Sequence, residues 1–237
     1  KLVGSNQNNI LYYFDKLNGN IIKFIPTEET VVKNQFINNI SSNEKYSFFL
    51  NTYGSLYGIE NDSMRIKWFV NLNASTNLNP SNLFFGSQII NYKDKVVVSS
   101  NDFTYILNSN NGSIIFKKNF SSKVKPLIVN NFLFLISKRN LLIALNLDNG
   151  KIIYSYNVNE KIADFLNTKK KQANFKNLMM VNGKILVFLN NSYFLQFDIK
   201  GDLEKIIKLP SKIKSQPIII RGSLLYTDRK NKISIVD

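Results

Sequence analysis

Apolar residues in this chain fall in short runs separated by polar pairs and triplets. The stretch from Asn131 to Asn157, NFLFLISKRNLLIALNLDNGKIIYSYN, shows the rule. Phe132 to Ser137 is an apolar run that stops at Lys138-Arg139-Asn140, and Leu141 to Asn146 is a second run. Asp148-Asn149-Gly150 follows as a turn, because Asn and Gly tolerate the positive φ of tight hairpins. Ile152 to Tyr156 is a third run, with Ile152, Tyr154 and Tyr156 on one side and Ile153 and Ser155 on the other. Three antiparallel strands in succession are predicted.

The pattern returns along the chain. Aligned on Gly150, the stretches LYYFDKLNGNIIKF, LYGIENDSMRIKWF, TYILNSNNGSIIFK and FLQFDIKGDLEKII place Gly19, Met64, Gly112 and Gly201 at the same turn, the last with a turn one residue shorter. The interval averages roughly 45 residues, the period of a four-stranded propeller blade. With strands A to D in each unit, the chain opens on C (Ile10 to Asp15) and D (Asn20 to Ile25). Four fuller units follow. The first has A near Gln35 to Ile40, then Tyr46 to Asn51, Ser55 to Glu60 and Arg65 to Asn71. The second has Leu83 to Ile90, Lys95 to Ser100, Phe103 to Asn108 and Ser113 to Asn119. The third has Lys125 to Val129 and the three runs above. The fourth has Asn177 to Val181, Lys184 to Asn190, Tyr193 to Asp198 and Leu203 to Leu209. Gln216 to Ile220, Ser223 to Thr227 and Lys232 to Asp237 supply a last A, B and C. The fold class predicted is all-β: one β-propeller domain over residues 1–237 with about five or six four-stranded antiparallel blades. Either terminal strands close the ring, or the chain is part of a larger one, since an open array would leave apolar faces in water.

Blade packing makes further demands. Inner strands covered on both faces should be apolar on both, as in FLFLIS, LLIALN, KILVFL and the Gln216–Ile220 run, whereas D strands at the rim should alternate. Trp68, Phe116 and Tyr154 stand four residues past the turn position in three units. That column is expected to be an aromatic wedge between blades, not a ring-stacking ligand site. Asn159 to Phe175 is the longest interruption. It is rich in Lys, weakly helical over Glu160 to Asn167, and of the kind where propellers carry partner contacts.

Composition narrows the chemistry. The chain has neither Cys nor His, which removes disulfides, thiolate metal sites and every Ser-His or Cys-His nucleophile. Asp15, Asp148, Asp198 and Asp237 are spread one per blade at turns, where turn chemistry explains them. No catalytic residue, cofactor or metal is expected. The net charge of +15 has two readings. One is an anionic partner; the other is a general enrichment in Lys, Asn and Ile. Local clusters occur at Lys169-Lys170-Lys171 and Arg229-Lys230. Nucleic acid is not an expected partner, and no apolar run reaches the roughly 18 residues of a membrane span.

The segments TYILNSNNGSIIF and LIALNLDNGKIIY, and LYGIENDSMRIKW with Met64 in place of Gly, resemble the PQQ-like repeat over nearly the whole chain. One branch of that family, the quinoprotein dehydrogenases, implies a quinone and Ca²⁺ held by carboxylates. This chain lacks the vicinal Cys pair common there and shows no acidic cluster. The other branch, similar to BamB-type outer-membrane assembly lipoproteins, implies a non-enzymatic periplasmic scaffold, tethered by an anchor outside this sequence, that binds assembly subunits through loops and strand edges. On that resemblance the basic loop from Thr168 to Lys176, with Lys169, Lys170, Lys171 and Lys176, is the expected partner-binding surface.

Overall fold

The computed structural model describes residues 1–28, 39–73, 88–100 and 102–236. The chain divides into two compact units, Lys1–Ser122 and Lys123–Asp237. The first unit holds three antiparallel sheets: β1 (Leu2–Ser5), β2 (Ile10–Phe14) and β3 (Ile21–Pro26); β4 (Asn39–Ser42) to β7 (Arg65–Asn71), with β5 (Tyr46–Leu50) and β6 (Ser55–Glu60) between; and β8 (Ile90–Tyr92), β9 (Lys95–Ser99), β10 (Thr104–Asn108) and β11 (Ile114–Lys118). The second unit holds three more: β12 (Leu127–Val129), β13 (Phe132–Ile136), β14 (Leu141–Asn146) and β15 (Ile152–Asn157); β16 (Phe175–Val181), β17 (Lys184–Leu189), β18 (Tyr193–Phe197) and β19 (Leu203–Lys208); and β20 (Ile218–Ile220), β21 (Ser223–Thr227) and β22 (Ile233–Val236). Strand order follows chain order in every sheet, as hairpin-connected blades require. The fold is an all-β propeller of mostly four-stranded sheets.

Within each unit neighbouring sheets pack face to face. Leu11, Tyr13 and Ile25 of the first sheet meet Phe49, Tyr57 and Ile59 of the second. The opposite face of that second sheet sets Tyr46, Phe48, Leu50 and Leu56 against Val96, Val98, Tyr105 and Leu107. One strand therefore serves two cores, because its side chains alternate between faces. This is why β5 is buried at all five positions and carries almost no polar residue. In the second unit Phe134, Ile136, Leu142 and Ala144 pack on Ile185, Val187, Leu195 and Phe197, and Leu186, Phe188 and Phe194 pack on Leu224 and Tyr226.

The C–D turns are the repeated local device. The amide at the turn position donates back four residues in four of them: Gly19 to Asp15 (2.9 Å), Met64 to Glu60 (2.8 Å), Gly112 to Asn108 (2.9 Å) and Gly150 to Asn146 (2.9 Å). Gly201 bonds to Asp198, three residues back, at 3.1 Å, so that turn is one residue shorter. Met64 takes the left-handed conformation, φ 51°, that Gly takes elsewhere. Asp15 and Asp198 accept backbone N–H groups of their own turns, from Leu17 at 2.7 Å and Asp202 at 2.9 Å. Asp148 accepts from the Asn131 side chain, and Asp237 lies outside the described residues.

Three expectations change. The chain opens one strand earlier than its pattern suggests: β1 pairs with β2 from Leu2↔Phe14 to Ser5↔Leu11, so the first sheet is B-C-D. Its four residues include Gly4 and Ser5, too few apolar side chains to announce a strand. The insertion after β15 carries a full helix, α1 (Val158–Leu166). Asn157 caps it by accepting from the amides of Asn159 and Glu160, and Asn167 closes it at φ 49°. The Gln216–Ile220 run is not covered on both faces: Ile218 and Ile220 remain 54% and 48% exposed. The expected A strands at Gln35 to Ile40 and Leu83 to Ile90 lie mostly outside the described residues; the described end of the first belongs to β4, and that of the second reaches β8, which starts at Ile90.

Candidate protein-interaction surfaces

Two members of the expected aromatic column, Trp68 and Tyr154, are packing devices, one in each unit. Trp68, 9% exposed, lies flat against the C–D turn of the next sheet, and its Nε1 donates to the Ser109 carbonyl at 3.0 Å. A Cβ on Gly112 would stand 2.5 Å from the Trp68 ring, and one on Gly58 would stand 2.2 Å from it. Tyr154 repeats the arrangement in the second unit: its hydroxyl donates to the Ile199 carbonyl at 3.1 Å, and a Cβ on Gly201 would lie 2.8 Å from its ring. Burial, then the carboxylates of Asp198 and Asp202 with the Tyr156 hydroxyl between them in weight, push the Tyr154 phenol well above the usual tyrosine range. Each ring fills the place of a missing side chain.

Outer strands offer the first exposed surface. β3, β7, β11, β15 and β19 end their sheets, so each has one unpaired backbone edge in its own sheet. Large apolar side chains stand in water on them: Phe24 at 60%, Ile66 and Phe69 at 42% and 65%, Ile114, Ile115, Ile152 and Ile153. These strands are exposed at more positions than the expected alternation allows, as in IIYSYN, where only Tyr154 and Asn157 are half-buried. Shallow grooves also lie on the first and last sheets, beside Tyr12 and Ile21 in one and beside Ile218 and Ile233 in the other.

Basic side chains form the second surface. The four lysines expected to act together are divided. Lys170 is held by Glu160 in the first turn of α1, at 2.6 Å. Lys169 and Lys171 are exposed on the same loop. Lys176 turns away from them and donates to the Ile213 carbonyl at 2.5 Å, which joins β16 to the linker between β19 and β20. There it enters a cluster that sequence spacing hides. Arg229 and Lys214 lie close enough that, after burial, their charges push the Lys176 ammonium below the usual lysine range. Lys214 donates to the Asn231 side chain at 2.5 Å, and the Arg229 amide donates to the Lys212 carbonyl at 3.2 Å. Arg229-Lys230 was visible as a pair. Lys212 and Lys214 flank Ile213, which is 1% exposed, so that alternation puts both lysines outward on one short linker.

Elsewhere in the second unit, Lys161 bridges Asp202 at 2.8 Å and sits 4.5 Å above the Tyr156 ring, and Lys184 pairs with Glu204. Among the described residues no three acidic side chains converge as a metal site.

No family model and no curated protein matches the sequence. Solved structures do. The crystal structure of BamB from Moraxella catarrhalis aligns over 98% of this chain and 80% of that chain, with a TM-score of 0.62 at 10% identity. The computationally designed Ika8 protein aligns over 98% of this chain and 66% of that chain, with a TM-score of 0.70 at 9% identity. A natural protein and a designed one share this architecture at about the same identity, so the likeness carries the fold and not an activity. The chain has a BamB-like β-propeller fold.

Proposed function

We propose that this protein is a non-catalytic propeller scaffold that binds other proteins, acting in the periplasm in the assembly of outer-membrane β-barrel proteins. One observation carries the reading: the outer strands combine open backbone edges with exposed Phe24, Phe69, Ile152 and Ile153. An extended segment laid along such an edge gains main-chain hydrogen bonds and buries apolar side chains at alternate positions. Covering one Phe or Ile contributes about 1–2 kcal/mol, so several edges together suffice for a transient complex. The likeness to BamB supports the setting, as does the PQQ-like repeat pattern.

The test is binding of the purified protein to the periplasmic portion of an outer-membrane assembly subunit and to a urea-unfolded β-barrel protein diluted from denaturant. We expect binding to at least one, weakened about tenfold in Phe69→Lys and Ile153→Lys variants that keep the native circular dichroism. Binding to neither, or binding indifferent to both substitutions, overturns the reading.

A further inference from the structure

The two units differ in charge at equivalent places. In every sheet the B–C turn and the link from a D strand to the next A strand share one end. Among the described residues of the first unit, the turns and links at that end carry Glu28 and Asp102, and the Lys117 ammonium stands over the Phe103 ring of one turn at 3.9 Å. Glu28 is already engaged: its carboxylate accepts from Asn51 at 2.6 Å and from Ser55 at 3.1 Å. In the second unit the part of that end formed by the last two sheets gathers Lys176, Lys212, Lys214, Arg229, Lys230 and Lys232. None of these six has a carboxylate within salt-bridge distance among the described residues. The carboxylate at hand, Asp228, is 8% exposed and accepts the amides of Lys230 and Lys232 at 2.8 and 2.9 Å. It shapes the turn and leaves the cations uncompensated.

We infer that the cluster of Lys176, Lys212, Lys214 and Arg229, with Lys230 beside it, is the docking site for an acidic peptide segment of a protein partner. This rests on the scaffold reading and names the chemistry of one partner. Gathering like charges is costly unless a counter-charge arrives, and two anchored elements, β16 and the β19–β20 linker, hold these in place. Four of the five cations are lysines, point charges on flexible stems, and carboxylate is the counter-charge that lysines already take in this unit, at Lys161, Lys170 and Lys184. Pro210, Ser211, Ser215 and Asn231 lie on the same linker and turn as these cations, with Ile213 buried.

The experiment uses the whole chain and a fluorescent peptide of alternating Asp and Glu with Gly-Ser spacers, followed by anisotropy. A single-stranded oligonucleotide and vesicles containing phosphatidylglycerol are run in parallel. We expect peptide binding that weakens as salt rises and falls about tenfold in K212E/K214E and in R229E, with no change in K200E/K205E at the opposite end of the unit. Native circular dichroism and an unchanged denaturation midpoint confirm that each variant folds. Absence of peptide binding, indifference to the reversals, or tighter binding to oligonucleotide or vesicles overturns the inference. Binding of the assembly subunit that depends on Phe69 but not on Lys212 and Lys214 overturns it while leaving the scaffold reading standing. Peptide binding lost on reversal, with no subunit or unfolded substrate captured, leaves the acidic-segment site and removes the outer-strand reading.

Discussion

The two units solve one packing problem with different side chains. In the first, an indole lies on Gly112 and donates one hydrogen bond into the turn that holds it. In the second, Tyr154 and Tyr156 stack at 5.1 Å over Gly201, Tyr154 bonds to Ile199, and the pair is finished by Lys161 and Asp202. A single large ring does in one unit what two smaller rings and an ion pair do in the other. The constant element is the glycine of the neighbouring C–D turn. It serves twice, because its positive φ closes the turn and its missing Cβ admits the ring. Specificity of sheet packing thus resides in a pair of positions about 45 residues apart, and neither is meaningful alone.

The largest effect that could break this comparison is the loss of Trp68. Trp68→Ala is expected to cost about 3–5 kcal/mol in chemical denaturation, since a buried ring leaves a cavity between two sheets. Tyr154→Ala should cost less, because its ring is half-exposed and Tyr156 remains. Equal losses would mean that the two wedges are not related as described. Next comes a glycine contrast within the first unit. Gly112→Ala and Gly19→Ala both place a Cβ at positive φ, 73° and 75°, but nothing lies within 4 Å of the second. Gly19→Ala should cost about 1 kcal/mol and Gly112→Ala about 2 kcal/mol more, the excess being the clash with Trp68. Trp68 is the chain's single tryptophan, so its emission reports the displacement directly.

Smaller again is Tyr154→Phe, which removes the bond to Ile199 at about 1 kcal/mol. The smallest effect is one of pH. The folded Tyr154 phenol titrates above the unfolded one, so the fold favours the neutral form. Its contribution is complete below about pH 10 and is lost as pH rises further. Alkaline titration of the denaturation midpoint should therefore fall more steeply in the parent than in Tyr154→Phe. Parallel curves would show that the Tyr154 hydroxyl is not held as described. The indole of the first unit has no such titration.

Much of this fold is legible in the chain because its rules are local. B and C strands show as unbroken apolar runs, since burial on both faces leaves no place for charge. C–D turns show as Asp or Asn followed by Gly, since both backbone and side chain are satisfied within five residues. The alignment even assigns Met64 to a glycine position, and its φ of 51° agrees. Legibility fails where identity is conferred by a neighbour. β1 is a strand because β2 is beside it. Helix α1 had local signals in Asn157 and Asn167, but it buries only Val158 and Asn159, the latter accepting the Ala173 amide through its side chain at 3.0 Å. The basic site was legible in part: Lys176 belongs to the cluster, while Lys170 is spent on Glu160. Lys212 and Lys214 join Lys176 only through the Ile213 carbonyl, a contact across 37 positions of chain.

The sequence alone determined the repeat, the strand class and the recurring turn position, because periodic burial writes itself into periodic composition. Tertiary structure alone decided which lysines stand together and which are neutralised, and which apolar strands remain in water. Charge and exposure are properties of neighbourhood, and neighbours from separate sheets are set by packing that no single stretch of chain encodes.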